Sequence, residues 1–266
     1  MRPVILLACT LLVAGCATRE DVVSSVFNGD SGRWVDLTHA FSEDSVFWPT
    51  DTEGFKLEEL AYGHTEGGWF YASYRYSAAE HGGTHLDAPI HFAEGRHTND
   101  EIPLGHLMGP AVVVDVSARA HPDYRVTVED LMGWESAHGR IPDGAIVLVR
   151  TGWDMRYDDP AAYLGTDLSG PEAVPHLHFP GLGEAAAQWL VDHRDIDAFG
   201  IDTPSVDYGQ SADFRTHVIL YRENIPGFEN LTDLDDLPPV GAHVVALPMK
   251  IKDGSGGPLR IVGYVP

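Results

Sequence analysis

The stretch that decides the fold and the site is His81-Gly82-Gly83-Thr84-His85-Leu86-Asp87-Ala88-Pro89-Ile90-His91-Phe92. It places three histidines and an aspartate within eleven positions, and zinc, manganese and iron all accept imidazole and carboxylate ligands. The glycine pair allows a sharp turn because glycine lacks a Cβ. Beyond the turn, Pro89 favours an extended chain, in which His85, Asp87 and His91 share one face. The segment therefore predicts a metal site.

The type of metal site follows from the ligands that are present. The chain has fourteen histidines, and a single histidine is usually a surface or hydrogen-bonded core residue, whereas a cluster of four ligand-type side chains is far more specific. Structural zinc sites are usually rich in cysteine and closed, while histidine and carboxylate sites with an open position activate water. The two cysteines, Cys9 and Cys16, are remote from the cluster in sequence. The ligand types therefore favour catalysis over a closed structural site.

The N-terminus has the pattern of an exported lipoprotein. An apolar run from Val4 to Ala14 follows Arg2; it is shorter than the roughly 20 residues of a membrane-spanning helix and is typical of a signal peptide. The run ends in Val-Ala-Gly-Cys16, which resembles the bacterial lipobox. We therefore expect residues 1–15 to be a lipoprotein signal peptide and residues 16–30 to form a tether. We expect lipidated Cys16 to anchor the protein at the outer membrane, facing the periplasm, and cleavage without lipidation is the alternative.

Composition excludes several other classes of protein. The net charge of −23 argues against nucleic-acid binding and against electrostatic attachment to an anionic membrane, because both need a basic surface. If Cys9 leaves with the signal peptide and Cys16 is acylated, no thiol remains for a disulfide or a cysteine nucleophile. Charge and cysteine content thus leave the histidine cluster as the principal chemistry of the chain.

Residues 31–266 alternate between β-rich runs and helical patterns. We predict helices from a capping box at Thr127 to Gly139 and from Gly183 to His193. Aromatic residues occur at both odd and even positions of residues 69–76, which lie on opposite faces of a strand. We expect most of them to pack in a buried sheet. No linker or repeat divides this part, so we predict a single α/β domain over residues 31–266. The predicted strands are residues 34–38, 69–76, 111–116, 145–149, 196–201, 243–247 and 259–265.

The segment from His81 to Phe92 resembles the signature of the cyclase family of metal-dependent hydrolases, which includes bacterial kynurenine formamidases and isatin hydrolases. The resemblance covers about residues 33–265 and implies a swivelling β/β/α fold, usually assembled as a homodimer. Further matching motifs are Phe47-Trp48-Pro49, Asp202-Thr203-Pro204-Ser205-Val206-Asp207, Glu229-Asn230-Leu231 and Leu237-Pro238-Pro239.

The resemblance also implies metal ligands, residue by residue. His81, His85 and Asp87 correspond to the ligands of a first divalent metal, zinc or manganese. Asp87 also corresponds to the residue that bridges to a second ion where one is present. His217, which precedes Glu229 by twelve residues, corresponds with Glu229 to the remaining ligands of that second site.

The other implied roles concern the reaction. His91 corresponds to the catalytic proton donor and acceptor, and Trp48 to an aromatic contact of the substrate ring. Glu223 lies close to the expected glutamate position but lacks the following Asn-Leu. A bound divalent metal lowers the pKa of its water from about 15.7 toward ~7, which would supply hydroxide for attack on a carbonyl.

We therefore expect a hydrolase of a C–N amide bond in an aromatic N-acyl or cyclic amide, with N-formylkynurenine and isatin as candidate substrates. Asp213-Phe214 before His217 and the Gly-Ser-Gly-Gly-Pro turn from Gly254 are closer to isatin hydrolases, which typically use manganese. The alternatives are a non-catalytic lipoprotein that binds a metal or an aromatic ligand, and a closed structural metal site in an unrelated enzyme.

Overall fold

A mixed β-sheet that closes on itself is the centre of the computed structural model, which describes residues 31–266. The signal peptide and the tether predicted for residues 1–30 lie outside the described residues. The helices are α1 (Val128–His138), α2 (Pro160–Leu164), α3 (Glu184–His193) and α4 (Arg215–Arg222). The strands are β1 (Arg33–Asp36), β2 (Lys56–His64), β3 (Phe70–Ser77), β4 (His85–Asp87), β5 (Met108–Asp115), β6 (Arg125–Val126), β7 (Ala145–Arg150), β8 (Gly181–Leu182), β9 (Ile196–Ile201), β10 (Gly227–Glu229), β11 (Ala242–Pro248) and β12 (Gly256–Val265).

The main sheet has the strand order β1-β12-β11-β5-β7-β9-β10-β4, and β4 pairs again with β12. Residues Gly256–Pro258 of β12 lie antiparallel to β4, while the later part of β12 pairs with β1 and β11. The sheet is thereby closed into a barrel. Short strand β4, which carries His85 and Asp87, is hydrogen-bonded between β10 and β12.

Strand β7 is buried on both of its faces, and this burial explains the uninterrupted apolar sequence of residues 145–149. Its residues Val147 and Val149 pack with α1 and α3 in one buried cluster, whereas Ile146 and Leu148 belong to the cluster inside the barrel. A strand that is buried on both faces has no polar position in its alternation. The structure confirms the strands predicted for residues 145–149 and 196–201. It also confirms the capped helix α1 and the α/β class.

Two expectations about local structure are wrong. The aromatics of residues 69–76 do not pack in a buried sheet: β2 and β3 form a separate hairpin, and Trp69, Phe70 and Tyr71 are each more than half exposed in the single chain. Strand β4 ends at Asp87, and Ala88 is still extended. Pro89–His91 then forms a 3-10 helix in which Pro89 occupies the first turn, so the extended chain does not continue to His91. Proline is compatible with that position, since its missing N–H would have no helical partner there.

Helix α4 was not predicted, although it carries His217. Among residues 31–266, no helix is both long enough and apolar enough to span a membrane.

Candidate metal centre and active site

A cavity of 310 Å³ brings together the residues that the sequence singled out. Glu223 lies outside it, exposed at the end of α4. The rest of the lining forms an aromatic wall that includes Phe47, Phe92 and Phe214, and the centroid of the Phe92 ring lies 4.4 Å from that of the His217 ring. The predicted site residues that line the cavity are Trp48, His81, His85, Asp87, His91, His217 and Glu229.

Two groups of candidate metal ligands share Asp87. The first is His81, His85 and Asp87, and the second is Asp87, His217 and Glu229; within each group the ligand atoms lie within 4.8 Å of one another. Asp87 Oδ1 is 2.6 Å from His81 Nδ1 and 3.1 Å from His85 Nε2. His217 Nε2 is 3.3 Å from both Asp87 Oδ2 and Glu229 Oε1. The two carboxylate oxygens of Asp87 thus serve different groups.

The fold assembles these groups through strand register. His85 and Asp87 are alternate residues of β4 and therefore share a face, and the β4–β10 register places Glu229 opposite His85. Gly83 turns the chain before β4 with φ +57°, and a Cβ there would lie 2.7 Å from the ring of Phe41. Glycine is thus required at this turn for both its backbone conformation and its size.

Buried charge at the site favours a cation. Burial alone would raise the pKa of Asp87, but the surrounding histidines lower it well below its ordinary value. Burial alone would lower the pKa of His85, but the nearby carboxylates of Asp87 and Glu229 raise it to about 9. His85 Nε2 is buried and has no hydrogen-bond partner among residues 31–266. These residues fit a divalent metal, because it would supply both the positive charge and a partner for that nitrogen.

Asp207 orients His217 from behind, a role that the sequence did not reveal. Asp207 Oδ2 accepts hydrogen bonds from His217 Nδ1, at 2.6 Å, and from the His217 backbone N–H, at 3.1 Å. Burial alone would raise the pKa of Asp207, but these bonds and the charge of His217 lower it. A carboxylate on the far nitrogen leaves Nε2 free to bind a metal. In the sequence, residues 202–207 match a family motif, but the match predicts no role for Asp207.

Asn230 and Tyr221 support the same site and were also missed. Gly83 O accepts hydrogen bonds from His85 Nδ1, at 3.0 Å, and from Asn230 Nδ2, at 2.7 Å. The Tyr221 hydroxyl donates to Asp87 Oδ2 at 2.8 Å. Burial raises the pKa of Tyr221 well above its usual value, so that it remains a donor. Tyr221 follows His217 by one helical turn, which a predicted helix at α4 would have revealed.

His91 differs from the other histidines of the cluster. Its ring stacks on that of His81 with the centroids 3.8 Å apart, and it belongs to neither ligand group. Burial lowers the pKa of His91 to about 4, so it is neutral near pH 7. Neither of its ring nitrogens is hydrogen-bonded within residues 31–266. His91 is therefore able to accept a proton from a molecule in the cavity.

The aromatic wall is built around Trp48. The Trp48 ring meets the rings of Phe179 and Phe214 edge-on, with the centroids 6.5 Å and 6.1 Å apart. Phe214 has φ 48° and precedes α4 directly. This left-handed conformation is strained for a bulky side chain and is typical of functional sites. The strained turn directs Phe214 into the cavity beside Trp48.

Comparison with known proteins gives the family. A family model described as "Putative cyclase" matches residues 35–208. The chain belongs to this cyclase family. It is 36% identical over 197 residues to the isatin hydrolase of Roseibium aggregatum, covering 70% of this chain and 72% of that protein. It is 31% identical over 228 residues to the kynurenine formamidase of Salinibacter ruber, covering 86% of this chain and 95% of that protein.

The fold is similar to that of a solved structure of the same family. Isatin hydrolase A from Ralstonia solanacearum matches with a TM-score of 0.84 and 33% identity, covering 96% of this chain and 100% of that chain. These similarities confirm the predicted family, its fold and a metal-dependent hydrolase that acts on an amide C–N bond.

Proposed function

We propose that this cyclase-family hydrolase opens a small, neutral aromatic amide, with the cyclic amide isatin as the first substrate to test. The observation that carries the proposal is that the lining of one cavity of 310 Å³ combines both metal-ligand groups with aromatic side chains. That volume lies at the lower end of the range of about 300–1,000 Å³ for small-molecule sites. Similarity to isatin hydrolases supports the same substrate class.

The charge of the cavity favours a neutral substrate. None of the described residues that line it is lysine or arginine, whereas Asp51, Asp87 and Glu229 are acidic. A substrate carboxylate would be desolvated there without a cationic side chain as its partner, which is costly. Isatin carries no such group, while N-formylkynurenine does. Asp51 Oδ2, however, is buried without a hydrogen-bond partner in residues 31–266 and could accept the ammonium of N-formylkynurenine, which therefore remains the second candidate.

The residues of the chain divide the chemistry between them. His81, His85 and Asp87 would hold one divalent metal, and His217 and Glu229, with Asp87, a second. A bound metal would activate water and polarise the amide carbonyl.

Two residues of the cavity would act on the substrate itself. His91, which is neutral near pH 7, would accept a proton from the attacking water and pass it to the leaving amide nitrogen. Trp48 would hold the aromatic ring and exclude water from the carbonyl.

Two substitutions separate metal binding from proton transfer. His85→Ala should lose metal and activity together. His91→Ala should retain metal, while turnover falls by about 10²- to 10⁴-fold, because only the proton transfer is lost. The exposed His176, replaced by alanine, is the matched control. An unchanged rate in His91→Ala would remove that residue from the mechanism.

An assay of the purified chain with isatin and N-formylkynurenine, loaded with zinc or manganese, tests the substrate and the metal together. Faster hydrolysis of isatin than of N-formylkynurenine supports the proposal. No turnover of either compound, combined with tight metal binding, would favour a non-catalytic lipoprotein that binds a metal or an aromatic ligand.

We further propose a homodimer in which a second copy covers the β2–β3 hairpin. Within residues 31–266, neither strand of this hairpin pairs with a third strand, and an isolated two-stranded hairpin is at best marginally stable in water. Tyr62, Trp69 and Phe70 are 64%, 63% and 52% exposed. Exposed aromatics on a hairpin of this kind mark a protein interface, and a two-fold axis would let two copies cover each other.

We also propose export to the periplasm and attachment to the outer membrane through lipidated Cys16. The lipobox-like end of the N-terminal apolar run supports this location. Radiolabelled palmitate should enter the wild-type protein and not Cys16→Ala; labelling of the variant would refute the anchor.

A further inference from the structure

We propose that Ser255 and Glu80 are positioning residues that determine which ring nitrogen of His81 faces the metal. The inference rests on the metal role proposed above for His81. Ser255 Oγ lies 2.8 Å from His81 Nε2 and 2.6 Å from Glu80 Oε2. Neither Ser255 nor Glu80 lines the cavity, so both act on His81 from behind its ring.

The direction of this hydrogen-bonded chain follows from the chemistry of Glu80. An ionised carboxylate only accepts hydrogen bonds, and Glu80 Oε2 also accepts from the Ser255 backbone N–H at 2.9 Å. The single hydroxyl hydrogen of Ser255 is therefore donated to Glu80. Ser255 Oγ can then only accept from His81, so that Nε2 of His81 carries the proton.

The remaining nitrogen, His81 Nδ1, is the one that faces Asp87 Oδ1, at 2.6 Å. When His81 is neutral, Nδ1 holds the lone pair and is the ligand atom. The other two candidate histidine ligands have the opposite arrangement. The Nδ1 of His85 is hydrogen-bonded to Gly83 O, and the Nδ1 of His217 is hydrogen-bonded to Asp207 Oδ2. One of the three imidazoles thus binds metal through Nδ1 and two bind through Nε2.

The fold keeps Ser255 in place at the point where the barrel closes. The Ala88 backbone N–H donates to Ser255 O at 2.8 Å. A Cβ at Gly256 would lie 2.6 Å from His81 Cε1, so the His81 ring packs directly against the backbone at the start of β12. The ring therefore cannot move toward that strand, and the hydrogen bond to Ser255 sets its remaining orientation.

Nuclear magnetic resonance tests the ligand atom without any substitution. Long-range ¹H–¹⁵N spectra of the zinc-loaded, ¹⁵N-labelled full chain distinguish protonated from metal-bound ring nitrogens. We expect His81 to have a protonated Nε2 and a metal-bound Nδ1, with the reverse pattern for His85 and His217. A metal-bound Nε2 in His81 would overturn the proposal.

Variants test whether Ser255 and Glu80 cause this arrangement. Zinc affinity, measured by competition with a chromogenic chelator, should fall about 10-fold in Ser255→Ala and Glu80→Ala, the lower end of the effect of residues that orient ligands. Glu80→Gln should recover most of that loss, because its amide oxygen accepts the same two hydrogen bonds. Ser117→Ala is the matched control, since Ser117 Oγ also accepts a side-chain hydrogen bond, from Arg150 at 2.9 Å, but outside the cavity.

The outcomes separate this inference from the metal role itself. Wild-type zinc affinity in both folded alanine variants would overturn the inference, provided that His81→Ala loses zinc affinity. If His81→Ala also binds zinc as tightly as the wild type, the proposed metal role of His81 fails instead. A variant that does not fold leaves the decision to the wild-type spectrum.

Discussion

Replacing Asp202 by asparagine should change how the stability of this protein depends on pH. Asp202 is fully buried at the end of β9. Its carboxylate accepts hydrogen bonds from the Thr151 backbone N–H at 2.9 Å, from the Thr151 hydroxyl at 2.6 Å and from the Gly152 N–H at 2.7 Å. Burial raises the pKa of Asp202 from 3.8 to about 7, although these hydrogen bonds offset part of the effect.

The magnitude follows from this difference in pKa. A carboxyl group whose pKa is raised on folding stabilises the protein fully below its unfolded pKa, and this contribution is lost as the pH rises through the folded pKa. With 1.36 kcal/mol for each pH unit between the two values, ionisation of Asp202 opposes folding by about 4 kcal/mol above pH 7. Of this, about 2–3 kcal/mol accrues between pH 5 and pH 8. Asparagine does not titrate and lacks the whole dependence.

Urea unfolding of the metal-depleted wild type and of Asp202→Asn at several pH values measures this effect. The free energy of unfolding of the variant, relative to the wild type, should rise by about 2–3 kcal/mol from pH 5 to pH 8, whatever constant offset the lost hydrogen bond adds. The exposed Asp167, replaced by asparagine, is the control and should show no such trend. A difference between Asp202→Asn and wild type that is constant with pH would refute the reasoning.

Three further changes test other parts of the structure. Asp207→Asn should weaken zinc binding at the group that includes His217 by about 10- to 100-fold, measured by metal titration, because the imidazole loses its orienting carboxylate; an unchanged second binding step would contradict this. Trp48→Ala should raise KM about 2- to 10-fold with a smaller change in kcat, as expected for a loss of about 0.5–1.5 kcal/mol of ring stacking; equal KM values would exclude the contact. Tyr62→Asp with Phe70→Asp should give a folded monomer in analytical ultracentrifugation, and a persistent dimer would place the interface elsewhere.

The central strands and the candidate ligands could be predicted from sequence because each has a strong local signal. Residues buried on both faces of β7 form an uninterrupted apolar run, and Thr127 with Asp130 forms the capping box that starts α1. The first ligand group lies within one short segment, from His81 to Asp87. Such signals depend on neighbours in sequence, which a single chain displays directly.

The remaining features depend on contacts that are distant in sequence. Helix α4 is only eight residues long and contains Val218 and Ile219, whose β-branched side chains weaken a helical signal. The aromatics of β3 show a strand pattern, but periodicity does not reveal whether another part of the chain covers them. Asp207 and Ser255 act through side chains that only the folded barrel brings behind His217 and His81.

The closure of the barrel by its last strand has a consequence for how the protein acquires its metal. Strand β4 is held by β10 and by Gly256–Pro258 of β12, both of which leave the ribosome long after the His81–Asp87 segment. A nascent chain therefore exposes these ligands before it can arrange them, and a chain that stops before Gly256 lacks the β12 pairing that holds β4. The surroundings of the first ligand group are thus complete only after the last strand has paired. The ions available where the two ends of the sheet meet would then influence which metal is bound, as well as the order of intrinsic affinities.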